Sequence, residues 1–145
     1  MSNSQPSLIL VLNCGSSSIK FAVFPVDADP LPRTPLWNGK VQGIGGPAPN
    51  FGESGVEPFP VELDAEHPHT AALQFIQERI SKRLDGRRVT TVAHRVVRGG
   101  SRYWAPTLVT QQMLDDLRSY IPLAPLHQPF PLKAMGLLLE QRPDI

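Results

Sequence analysis

Only one cysteine, Cys14, occurs in the 145 residues. An internal disulfide is therefore impossible, and a cysteine metal cage is disfavoured. Charge of one sign is also scarce. The formal net charge is +1, and no Lys/Arg cluster is longer than the pair Arg87-Arg88. A nucleic-acid or anionic-membrane partner leaves a basic stripe, so no nucleic acid and no membrane is expected. Long hydrophobic runs are missing too. The longest, Leu8 to Leu12, is far too short to span a bilayer. The start, Met1 to Ser7, is polar and lacks the charged-then-apolar layout of a signal peptide. The expectation is a soluble, cytoplasmic protein.

What is present fits a globular domain. Apolar residues make up 41% and charged residues 19%, a balance that favours a packed core over disorder. The length suits one domain rather than two. Leu8–Leu12 is a continuous aliphatic run, the pattern of a strand buried on both faces. It stops at Asn13-Cys14-Gly15-Ser16-Ser17-Ser18, small residues that favour a tight turn. From Ile19 to Phe24 the chain alternates, with Ile19, Phe21 and Val23 on one face. Two strands around a Gly/Ser turn make a hairpin.

The stretch from Pro25 to Pro60 is rich in proline and glycine. A third strand is placed at Leu36–Val41, and the rest reads as long surface loops, since each proline removes a ladder donor. Leu73, Ile76, Ile80 and Leu84 fall on one face of a helix over Thr70–Leu84, with Asp85-Gly86 as its stop. His67 and His69, flanking Pro68, read as loop residues. Val89–Val97 reads as a strand ending at Gly99-Gly100. Thr110 is an N-cap for a helix carrying Met113, Leu114 and Leu117, with Val109 placed to staple onto Leu114. A last helix is expected from about Pro131 to Gln141. Strands, then helix, strand and helices is a mixed α/β order. Pro143-Asp144-Ile145 looks like the approach to a further strand, so the chain is expected to be incomplete at its C-terminal end.

Three segments carry candidate chemistry. In Asn13–Lys20, Gly15 permits close backbone approach, Ser16, Ser17 and Ser18 add hydroxyls to the turn, and Lys20 adds a cation: a set suited to polyphosphate. Asn13 offers a neutral oxygen for Mg²⁺ or one of its waters. A plain Ser/Gly hairpin with a solvated lysine fits the same residues. In His94-Arg95-Val96-Val97-Arg98-Gly99-Gly100, polar groups sit at the C-terminal end of a strand, where open α/β sheets place their ligand crevice. Arg95 has a planar fork for carboxylate or phosphoryl oxygens; a structural ion pair, with His94 a hydrogen-bonded core residue, is the alternative. In Ala124-Pro125-Leu126-His127-Gln128-Pro129, His127 is held between prolines at the entry to a helix, where anions are favoured. A loop or capping histidine is again the alternative.

In this order, Asn-x-Gly-Ser-Ser-Ser-x-Lys, His-Arg-Val-Val-x-Gly-Gly and Ala-Pro-Leu-His-x-Pro resemble the acetate kinase family, over nearly the whole chain from Leu8 onward. The resemblance implies an α/β, ribonuclease H-like domain of the acetate and sugar kinase/actin-like ATPase superfamily. Residues 1–7 would be a flexible N-terminus and 8–145 an incomplete N-terminal α/β domain. It implies ATP-dependent phosphorylation of acetate to acetyl phosphate, with Mg²⁺ as cofactor, ATP/ADP and acetate/acetyl phosphate as partners, and a homodimer at full length. By residue-wise match, Asn13 would take the metal-associated position. Ser16, Ser18 and Lys20 would bind ATP phosphate. Arg95 would bind the carboxylate and hold the transferring group, Val97 and Leu126 would line the methyl pocket, and His127 would sit near the phosphoryl group.

Two positions depart from the family pattern: Arg98 stands where the family usually has His, and Gln128 where it usually has Asn. The family's further acidic and adenosine-binding segments lie downstream of the matched region, so the 145 residues alone are expected to be inactive. The alternatives are a propionate or butyrate kinase and a non-catalytic phosphate-binding fragment.

Overall fold

A computed structural model describes residues 6–27, 29–96, 102–123 and 129–145. The first two strands, β1 (Ser7–Cys14) and β2 (Ser18–Pro25), form the expected antiparallel hairpin. Leu10 lies opposite Val23, Asn13 opposite Lys20 and Cys14 opposite Ile19. The strands β3 (Trp37–Gln42), β4 (Asn50–Glu53) and β5 (Val56–Pro60) extend the sheet antiparallel on one side. On the other side β6 (Arg88–His94) pairs parallel with β1, giving the order β5-β4-β3-β2-β1-β6. A parallel neighbour needs a crossover. Helix α1 (Pro68–Lys82) supplies it, and α2 (Gln111–Arg118) and α3 (Pro129–Gln141) follow.

The proline-rich stretch is more ordered than its composition predicts, since β4 and β5 both lie within it. Pro58 and Pro60 fall on β5, the outermost strand. An edge strand tolerates prolines because half of its N–H groups have no ladder partner to lose. Phe51 of β4 anchors the pair: it is fully buried, with ring centroids 5.5 Å from Phe59 and 5.0 Å from Phe75 of α1. On β3, a Cβ at Gly39 would sit 2.6 Å from the Gly52 carbonyl oxygen and 2.8 Å from the Phe21 ring. Only glycine lets those three strands close up at that point.

One face of the sheet carries the main core. Leu8, Leu10 and Leu12 of β1 and Ile19, Phe21 and Val23 of β2 pack with Ala72, Leu73, Ile76 and Ile80 of α1 and Ala134 of α3. Each fully buried leucine or isoleucine contributes about 1.5–3 kcal/mol relative to exposure. A second cluster joins Met113, Leu114 and Leu117 of α2 to Leu132 and Met135 of α3, with Val109 packed against it. The expected cap holds: the Thr110 side chain accepts from the Met113 N–H at 3.1 Å. Helix α1 starts at Pro68, earlier than expected, because proline suits a first turn whose N–H groups lack partners. It ends at Lys82, with Arg83 as its C-cap and earlier than the expected Leu84; Asp85 and Gly86, both at positive φ, turn the chain toward β6. β1 differs from its expectation. Its burial alternates, with Ile9 and Val11 half-buried between fully buried leucines, because α1 and α3 cover one face only.

Candidate active site

The alternation of β1 and β2 sends Asn13 and Lys20 to the face opposite the main core. Cys14 and Ile19, one residue away on each strand, are buried in that core. The Lys20 side chain is exposed and Asn13 is half-buried. Beside them the parallel ladder runs Leu10–Val92, Val11–Ala93 and Leu12–His94, and the Arg95 N–H extends it by donating to the Leu12 carbonyl at 3.1 Å. By the same alternation Arg95, which is exposed, joins the face of Asn13. On the far side of β2, Lys20 is directly opposite Lys40 of β3. Arg95, Asn13, Lys20 and Lys40 thus form a row across four adjacent strands or strand ends. Asn13, Lys20 and Lys40 border a hollow of about 570 Å³, together with Asn38 and Ser54.

The row gathers three cationic side chains on one face, a set whose chemistry suits an anion. Like charges directly opposite on a sheet repel, and a bound phosphate or carboxylate turns that repulsion into attraction. Among the described residues that border the hollow, the one carboxylate is that of Glu53. Its side chain is turned to the helices, with only 2% exposed and ion pairs to Arg79 of α1 and to Arg83, the C-cap of that helix. Those arginines also lie over aromatic rings, Arg79 5.4 Å from the Phe51 centroid and Arg83 5.3 Å from that of Trp37. The Glu53 network fastens β4 to α1 and offsets the carboxylate's charge within two ion pairs.

The turn between the strands is fixed by backbone bonds. Gly15 N–H donates to the Ser18 carbonyl at 2.8 Å, and Ile44 N–H donates to that of Ser17 at 2.9 Å. Ser16 is exposed and Ser18 half-buried. Among the described residues, neither the Ser16 nor the Ser17 N–H donates to a backbone carbonyl. The expectation that His69 is a loop residue is corrected: it lies in the first turn of α1, with Nε2 3.2 Å from the Gly15 carbonyl oxygen and 2.9 Å from that of Ser16. His67 immediately precedes the helix, as its N-cap, without a side-chain capping bond.

His94 points the other way from Arg95, into the helix side. There it lines a hollow of about 640 Å³ with Val96, Tyr103 and Met113, among others. Its Nδ1 is buried without a hydrogen-bond partner among the described residues. Burial pushes its pKa down to about 4, so the imidazole is neutral at pH 7. It is a core histidine, as one reading had it, but that nitrogen is unsatisfied. Burial likewise raises the Cys14 thiol to about 11, which leaves it no nucleophilic role at neutral pH.

Of the residues singled out in the sequence, Asn13, Lys20 and Arg95 are brought together, and Ser16 and Ser18 lie in the adjoining turn. Val97, Leu126 and His127, with Arg98 and Gln128, lie outside the described residues. Sequence reasoning missed Lys40 and the contact made by His69. The strand holding Lys40 was legible, but its register against Lys20 was not. Among the described residues no group of three His, Cys, Asp or Glu side chains could hold a metal ion, and no helix is long and apolar enough to cross a membrane.

Residues 8–145 match the profile described as the Acetokinase family. An acetate kinase of Kocuria rhizophila is 35% identical over 144 residues, which is 93% of this chain and 35% of that protein. A propionate kinase of Escherichia coli O157:H7 is 36% identical over 120 residues, 83% of this chain and 28% of that protein. Among solved structures, the acetate kinase of Porphyromonas gingivalis superposes with a TM-score of 0.74 at 28% identity. The match covers 94% of this chain and 35% of that one. The chain thus spans about a third of the length of the relatives that it matches.

Proposed function

The chain belongs to the acetokinase family, and on that premise we propose that the protein carrying it transfers a phosphoryl group reversibly between ATP and acetate, forming acetyl phosphate and ADP. The observation that carries this reading is the row of Arg95, Asn13, Lys20 and Lys40 on one sheet face. Phosphoryl transfer asks a protein mainly to align an in-line attack and to neutralise the equatorial oxygens. A carboxylate is already a nucleophile and needs no base. It needs shielding from the phosphates, and the fork of Arg95 provides that while holding the carboxylate in line. Lys20, with Ser16 and Ser18 of the turn, binds the ATP phosphates. His127 stands near the transferring group, and Val97 and Leu126 line the methyl pocket; these three assignments rest on the matched motifs.

Mg²⁺ belongs to this reading as the ion carried by the nucleotide phosphates. Asn13 is the metal-associated position, through its amide oxygen or a bound water. One neutral oxygen is too little to hold the ion alone. The 145 residues by themselves therefore bind phosphate and carboxylate without turning over. Residues 8–145 serve as the N-terminal α/β domain after a flexible 1–7 segment, in a cytoplasmic enzyme that is a homodimer at full length. These last points rest on the family resemblance.

Propionate is the second reading, favoured by the likeness to a propionate kinase noted above. Assaying the protein that carries this chain with Mg·ATP and acetate, propionate or butyrate tests both readings. Acetate is expected to give the highest kcat/KM. A preference for propionate would replace the first reading with the second, and no transfer to any of the three would overturn both. Turnover at an ordinary kinase rate of about 1–100 s⁻¹ by the pure 145-residue chain would refute its inactivity alone.

A further inference from the structure

We propose that His69 is a positioning residue that makes the Gly15–Ser18 turn an anion receptor, by holding the turn's carbonyl groups against the helix layer so that its N–H groups face the substrate. The inference rests on the reading of this hairpin as the phosphate site.

The geometry starts from the contact. His69 Nε2 is 3.2 Å from the Gly15 carbonyl oxygen and 2.9 Å from that of Ser16. Both partners are acceptors, so Nε2 carries the proton and shares it between them. A trans peptide sets its C=O and N–H in opposite directions. Drawing the Gly15 and Ser16 carbonyls toward α1 therefore sends the Ser16 and Ser17 N–H groups away from the helices. That is the side to which Lys20 and Asn13 project. Neither N–H donates to a backbone carbonyl among the described residues, so both stay available to an anion. Successive outward N–H groups beside a lysine form a concave anion site of the kind that cradles phosphates.

The turn has an opposite option. A Gly/Ser loop with free carbonyls can flip its peptides and present oxygens to the same space, which repels phosphate. Glycine at position 15 makes such a flip cheap. His69 opposes it, and is itself held on two sides. Its backbone lies in the first turn of α1. Its ring stacks on Phe130 in the first turn of α3, with centroids 4.5 Å apart and planes inclined by 25°. On its inner side the half-buried ring borders a void of only about 10 Å³ shared with Cys14, Ile19 and Leu73, so it has little room to move into the core. Because α3 follows directly on the segment containing His127, the stack also ties the phosphate turn to the helix that begins beside that motif.

The test uses the 145-residue chain, with tripolyphosphate as the probe and the Gly15–Ser18 amide resonances as the readout. His69→Gln keeps an N–H donor at nearly the same reach, whereas His69→Leu keeps bulk and loses the donor. With wild type, tripolyphosphate is expected to shift the Ser16 and Ser17 amides. His69→Leu should weaken that binding by roughly tenfold and His69→Gln should restore most of it, while circular dichroism shows all three folded. A purely structural role would move melting temperature without this rescue. Should His69→Leu not fold, Phe130→Leu, which removes the stack alone, should weaken binding with the Ser16 and Ser17 amides displaced in the free protein. Equal affinity in wild type and His69→Leu, or in wild type and Phe130→Leu, would overturn the role of His69 and leave the phosphate site standing. Failure of wild type to bind tripolyphosphate at the turn would overturn the phosphate site itself.

Discussion

Lys20 and Lys40 face each other directly across β2 and β3, two exposed cations on the same side of the sheet with Asn13 next in line. Such a pair destabilises a free sheet by roughly 0.2–1 kcal/mol. Lys40→Gln should therefore raise the melting temperature of the ligand-free chain slightly and weaken its binding of tripolyphosphate several-fold. Thermal melts with and without the anion measure both effects. A variant that binds as tightly as wild type would take Lys40 out of the site.

Arg95 is the residue on which the carboxylate half of the proposal depends. Lysine keeps the charge but not the bidentate fork. In the enzyme that carries this chain, Arg95→Lys should lower kcat with acetate by about tenfold or more, the scale of one positioning donor. Steady-state kinetics with saturating Mg·ATP give the number, and wild-type turnover would exclude Arg95 from substrate contact.

How much of this was legible beforehand depended on the distance over which the information is spread. The β1–β2 hairpin, the Thr110 cap and the Asp85-Gly86 turn are local, since each is set by a few neighbouring residues, and each was readable, although α1 ends at Lys82, before that turn. The α/β fold implied by the family resemblance is the one shared with Porphyromonas gingivalis acetate kinase. Strands β4 and β5 were missed because Pro58 and Pro60 are breakers everywhere except at a sheet edge, and position in a sheet is not a local property. Lys40 and His69 were missed for the same reason. The first acquires its meaning from register against Lys20, the second from a contact 53 and 54 positions away along the chain. Asn13, Lys20 and Arg95 were found by motif, and their shared face follows from strand pairing.

The buried imidazole of His94 predicts a specific acid sensitivity. Its pKa is lowered from 6.5 to about 4 in the folded chain. Between those values the unfolded chain binds the extra proton, so stability rises with pH and is lost as pH falls from about 6.5 toward 4. The whole shift corresponds to about 3 kcal/mol at most. Relative to wild type, His94→Gln should lose less stability between pH 7 and pH 4.5 in denaturant melts. Parallel pH dependences would show that His94 titrates alike in both states.

The Glu53 network is expected to matter for stability and not for anion binding. Removing one partner of a buried ion pair strands the other charge, at a cost of about 3 kcal/mol or more; partial exposure of Arg79 and Arg83 places the effect at the lower end. Glu53→Gln should lower the melting temperature by several degrees, while the affinity of the surviving folded chain for tripolyphosphate stays unchanged. A loss of affinity without loss of stability would make its carboxylate part of the anion site instead.

The most direct measurement of the central claim is a crystal structure of the chain soaked with acetyl phosphate, which carries both halves of the proposed chemistry in one molecule. The account predicts the phosphoryl group at the Ser16–Ser17 amides and Lys20, with the acetyl oxygen toward Arg95, on the sheet face opposite α1. Acetyl phosphate bound instead on the helix side, in the hollow lined by His94 and Met113, or density for it nowhere on the Arg95–Lys40 row at saturating concentration, would contradict it.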